Sequence, residues 1–84
     1  MAQQFNPNAQ NIKIRYAVLV FLKGSTAPLV LYVNEYMDLY RELSEYMKSN
    51  QAVVVEKETE GPLKKVCFAS NQIAAVAIQE EQYL

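Results

Sequence analysis

Between Ile12 and Lys23 the side chains alternate without interruption, and this run limits the fold more than any other feature of the chain. Ile12, Ile14, Tyr16, Val18, Val20 and Leu22 fall on one side of an extended backbone, and Lys13, Arg15, Ala17, Leu19, Phe21 and Lys23 fall on the other, because successive side chains of a strand point to opposite faces. The first side is apolar throughout. The second is apolar at its centre and basic at both ends. A half-buried sheet needs one apolar face, so the centre of this strand is expected to be covered on both. So long a strand is expected to bend, and a bent strand can serve both sides of a small barrel.

The remaining segments are short. Gly24-Ser25-Thr26-Ala27-Pro28 is turn chemistry, and Leu29 to Val33 reads as a hairpin partner. Asn34 then begins a different rhythm: Tyr36, Tyr40, Leu43 and Met47 form a helical stripe, widened by Met37, Leu39 and Tyr46. Asn34 suits the N-cap, Glu35 and Asp38 suit the first turns, and Asn50 suits the stop, so one helix is expected over about 34–49. Residues 52–60 read as a third strand, Gly61-Pro62 as a turn, and 63–69 as a fourth strand with Val66 and Phe68 on one face and Leu63 and Cys67 on the other. Ser70-Asn71-Gln72 interrupts. Residues 73–79 read as a fifth strand on their β-branched content, with a helix capped by Ser70 as the alternative, and 80–84 as a frayed end. The expected order is β-β-α-β-β-β, a mainly β domain with one helix: a five-stranded bent sheet or small barrel.

Eighty-four residues make one domain, with residues 1–11 read as a flexible polar tail and 12–84 as the folded part. A chain this short buries about 60% of the surface its unfolded form exposes. Cys67 is the only cysteine and there is no histidine, so neither an internal disulfide nor a zinc site can make up the deficit. Association with other copies is therefore expected. The same absences argue against an enzyme. Histidine, the commonest general acid–base, is missing, Cys67 has nothing to activate it and is expected to be a buried structural thiol, and two glycines cannot form a phosphate loop. No cofactor or metal is expected. The longest apolar run, Tyr16 to Leu22, is too short to span a bilayer, so no membrane partner is expected; a free cysteine without an export signal fits the cytoplasm.

Phe68-Ala69-Ser70-Asn71-Gln72-Ile73-Ala74-Ala75-Val76 is similar in its apolar spacing to the second motif of the Sm and LSm proteins, and Val18-x-Val20-x-Leu22-Lys23-Gly24 is similar to their first strand. Ala69-Ser70 stands where that family carries Arg-Gly, and the helix falls between strands two and three rather than before strand one. The resemblance implies a five-stranded small barrel that assembles into homo-oligomeric rings through strand four of one copy (63–69) and strand five of the next (73–78). It also implies binding of RNA or single-stranded DNA at the turn between those strands, where Ser70, Asn71 and Gln72 would contact bases. Charge alone adds Lys13, Arg15, Lys64 and Lys65 as phosphate contacts. The net charge of −1 favours the competing reading, an interaction or assembly module with no nucleic-acid role.

Overall fold

The computed structural model describes residues 12–83; the expected tail, 1–11, lies outside the described residues. The order is β1 (Lys13–Leu22), β2 (Leu29–Leu31), α1 (Tyr36–Ser49), β3 (Val54–Glu58), β4 (Lys65–Ala69), a 3₁₀ turn (Ser70–Gln72) and β5 (Ile73–Tyr83). The class is the expected one, mainly β with one helix. The strands form two sheets, β2-β1-β5 and β3-β4, and among the described residues they do not close into a barrel. The two ladders meet at one isolated antiparallel bridge, Tyr32 with Glu60.

β1 is the spine. It pairs antiparallel with β2 over Val18–Val20 and with β5 along its whole length. The β5 register shifts between Phe21 and Leu22, and such an irregularity bends the strand carrying it. Val18 and Val20 are fully buried on one side and Ala17 on the other, whereas Leu19 is half-buried and Phe21 exposed. The centre of β1 is thus covered on both faces at Ala17, with the cover thinning toward Phe21.

The helix follows its periodicity, with its buried stripe shifted by one residue. Leu39 and Leu43 are buried; Tyr36, Tyr40 and Tyr46 are half-buried; Met47, the last member of the expected stripe, is exposed. Two aliphatic side chains fill the centre of the interface, while tyrosine keeps a hydroxyl to satisfy and stays at its rim, as Tyr46 does by donating to Glu42 at 2.9 Å. Glu35, not Asn34, is the N-cap, and it makes no side-chain capping bond. Asn50 ends the helix in the left-handed conformation (φ 56°). There Gln51 N–H donates to the Tyr46 carbonyl at 3.1 Å, closing the last turn as in other left-handed helix ends.

Three further expectations are corrected. Residues 80–83 are not frayed: they extend β5 against Lys13–Tyr16, because ladder hydrogen bonds come from the backbone and do not require apolar side chains. The helix alternative for 70–82 gives way to one 3₁₀ turn and a strand. Cys67 is exposed rather than buried, since its neighbours Val66 and Phe68 take the inward positions of β4. Those two join Val18, Val20, Leu31, Leu39, Leu43, Val55 and Ile73 in a single core cluster.

Candidate functional site

The residues singled out in the sequence do not converge. Asn71 and Gln72 are exposed in the 3₁₀ turn at the end of β4, beside Lys23, whose N–H donates to the Gln72 carbonyl at 2.8 Å. Lys13 and Arg15 lie at the other end of β1, a strand of 10 residues and hence about 30 Å long. Lys64 and Lys65 lead into β4, at the end away from the turn. Two of these cations are already paired: Lys65 with Glu56 at 3.3 Å and Arg15 with Glu81 at 3.1 Å.

Ser70 is committed to the fold. It is 2% exposed; its hydroxyl donates to the Gln51 carbonyl at 2.6 Å and accepts from Val53 N–H at 2.8 Å, and its own N–H donates to the Val53 carbonyl at 2.8 Å. These bonds tie the segment after α1 to the end of β4. A base could reach this hydroxyl only after they are broken.

Among the described residues, the densest polar arrangement is at the opposite end of β1. The Arg15 guanidinium lies 4.1 Å from the Tyr32 ring centroid and 5.2 Å from that of Tyr83. The Tyr32 hydroxyl donates to Glu81 (2.9 and 3.1 Å to its two oxygens), and Gln79 Nε2 donates to the same carboxylate at 3.1 Å. The register explains the meeting, since Arg15 stands opposite Glu81 in the ladder. Gly61, at φ +88°, passes so close to Tyr32 that a Cβ there would sit 2.6 Å from Cδ2 of the ring. A side chain at 61 would displace the tyrosine.

The Tyr32 hydrogen bond, with help from Arg15, holds the Glu81 carboxyl below its ordinary range, and the same bond raises the Tyr32 phenol. Partial burial pushes Glu42 up, yet hydrogen bonds from Lys57 (2.9 Å) and Tyr46 outweigh it and leave Glu42 lowered. Both glutamates are stabilised in their charged form by folding. Their contribution is therefore complete above the unfolded glutamate value of about 4.3 and is lost as pH falls through the lowered folded values. Urea midpoints measured between about pH 5 and pH 3 should decline, and Glu81→Gln should flatten part of that decline. An unchanged slope would show that this cluster contributes nothing to acid sensitivity.

Beside the cluster lies a cavity of about 350 Å³ lined by Ile14, Arg15, Tyr16, Tyr32, Val33, Asn34, Tyr36, Glu60, Gly61 and Tyr83. It exists because β2 pairs with β1 only as far as Val18, after which the chain peels away through Tyr32 to pair with Glu60. Tyr16 and Tyr36 stack in its wall, with centroids 4.6 Å apart and planes 20° apart. Nothing local in the sequence gathers these tyrosines here; the only signal is their number, six in the chain.

Among the described residues no group of three or more His, Cys, Asp or Glu side chains is placed to hold a metal ion, and no helix is long and apolar enough to cross a membrane. Fold and site define, among the described residues, a mainly β, single-helix protein of two sheets, with β4 and β5 among the strands that end a sheet, and a tyrosine-lined cavity. Compared with protein-family models, with curated proteins and with solved structures, the chain matches none.

Proposed function

We propose that the chain is a non-catalytic assembly module that pairs β4 of one copy with β5 of the next. The observation carrying this reading is that β4 and β5 each end a sheet, so each has one ladder edge without a partner among the described residues. Between Ile73 and Ile78 β5 contains neither proline nor a charged residue and carries exposed Ala74 and Ala75, so this stretch does not discourage a second backbone. The phases also match. Val76 and Ile78 stand opposite the core residues Val20 and Val18 and share their face, while Val66 and Phe68 point inward from β4. An antiparallel register with Val66 opposite Ile78 and Phe68 opposite Val76 continues the apolar face across the junction, and it sets Lys64 against Glu80. A one-residue slip would turn each apolar residue to the wrong face. Joined head to tail, the copies close into a ring or extend as a fibre according to the rotation between them.

That register places Cys67 opposite Ala77 of the neighbouring copy. Opposed Cα atoms in antiparallel ladders lie about 4.5–5.5 Å apart, within the disulfide range of about 4.4–6.8 Å. Ala77→Cys is therefore expected to give a covalent ladder of oligomers on mild oxidation, with Ala75→Cys as the off-register control. A monomer mass by light scattering at tens of micromolar, with a folded circular-dichroism spectrum, would refute the proposal.

A second reading, a nucleic-acid contact in the Sm-like manner, is supported by the joint exposure of Asn71 and Gln72 beside Lys23. Its test is anisotropy titration with poly(U), poly(A) and single-stranded DNA at two salt concentrations. Binding that weakens with salt supports it, and absence of binding at low salt removes it.

A further inference from the structure

The geometry points to the tyrosine-lined cavity as a binding site for a nucleobase, with guanine the best-fitting edge. Its volume of about 350 Å³ lies in the lower part of the range for small-molecule sites, about 300–1,000 Å³. Such sites combine apolar or aromatic walls with a few placed polar groups, and this one supplies both. Tyr16 and Tyr36 stack on each other in the wall, so a base would add to an outer face of that pair, as aromatic faces accept any planar base.

Charge narrows the ligand. Arg15 is compensated by Glu81 at 3.1 Å, whereas Glu60 has no ion-pair partner among the described residues. A cavity whose uncompensated group is a carboxylate repels phosphates and carboxylates, so the cavity takes an uncharged ring. Glu60 accepts hydrogen bonds only, and the Asn34 amide offers both a donor and an acceptor. Neither side chain has a hydrogen-bond partner among the described residues. Guanine presents adjacent N1–H and N2–H donors that a carboxylate can accept as a pair; adenine and cytosine offer one exocyclic amino group, and uracil offers none. The floor fits the same chemistry, because the edge of β1 from Lys13 to Tyr16 on the β2 side has no strand partner among the described residues. Its backbone groups are free to meet a heterocycle. Free nucleosides and unpaired bases in a strand share this chemistry.

The test is an NMR titration of the full chain with guanosine, adenosine, cytidine, uridine, guanosine monophosphate and a short guanine-containing oligonucleotide. Guanosine is expected to shift the Tyr16, Tyr32, Tyr36 and Tyr83 resonances saturably, binding about tenfold or more tighter than uridine, as one well-made paired contact provides. Glu60→Gln should erase that preference; Glu60 is exposed and its backbone bridge to Tyr32 survives the change, so the fold is kept. Tyr36→Ala should abolish binding, with the Glu60 variant deciding the matter if it unfolds. An oligonucleotide that binds tighter than guanosine identifies an unpaired base as the source, and one that binds equally or more weakly identifies the free nucleoside. No saturable shift with any nucleoside at millimolar concentration overturns the inference. So does tighter binding of the monophosphate than of guanosine, or an unaltered preference in Glu60→Gln.

Discussion

Replacing Leu43 with alanine should lower the unfolding free energy by about 2–5 kcal/mol, the range for truncating a buried leucine. Leu43 is fully buried at the helix–sheet interface, in contact with the core that Val18, Val20 and Phe68 build from the strands. A domain of 84 residues has about 4–13 kcal/mol in all, so this one change removes a large share. Urea unfolding followed by circular dichroism measures it as a drop in midpoint at constant slope. Met47→Ala, on the exposed side of the same helix, is the internal contrast, with an expected loss below about 1 kcal/mol. Equal losses would mean that the helix packs through a different face.

Ser70→Ala should also be damaging, although it removes a single oxygen. The hydroxyl satisfies Val53 N–H and the Gln51 carbonyl at once; when it is gone the half-buried Val53 N–H loses its partner, while Gln51 is exposed and its carbonyl can turn to water. At about 1–3 kcal/mol for a buried group left unpaired, a loss of about 1–3 kcal/mol is expected. The measurement also separates two roles for this residue. If Ser70 read bases, the substitution would change binding and leave stability alone. If it fastens β4 to the segment after α1, stability falls. Asn71→Ala, one residue away and exposed, should be neutral for stability.

What the sequence disclosed and what it withheld follow a physical division. β1 was legible because period-two alternation is written in adjacent residues, and the helix because its 3.6-residue period persists from Tyr36 to Met47. Which side of the helix is buried was less legible: Leu39, Tyr40, Leu43 and Met47 are all apolar, and only the shape of the sheet decides between them. The last residues of β5 were missed because Glu80 to Gln82 carry no apolar signal. Their place is set by partners more than sixty residues earlier, as Arg15 is to Glu81. The burial of Ser70 and the exposure of Cys67 are likewise matters of phase. One turn residue happens to face the core, and the thiol falls between two residues that do.

The cavity was hidden for the same reason. Its walls come from four separate segments, so no local motif encodes it. The candidate residues inferred from charge were individually reasonable, but attraction between opposite signs consumes such residues within the fold, as Lys65 and Arg15 show. A count of lysines and arginines overstates the positive charge a partner would meet.

The single bridge between Tyr32 and Glu60 has a mechanical consequence. The β3–β4 hairpin is fastened to the ladder of the larger sheet at one rung, and the cavity straddles that rung, with Tyr16 and Tyr83 contributed by one side and Glu60 and Gly61 by the other. Side chains rather than ladder bonds therefore hold the hairpin: Val55, Val66 and Phe68 reach into the common core, and the place of the Glu60–Gly61 wall depends on that packing. A substitution that loosens Val55 or Phe68 is expected to disturb the cavity as well as the core.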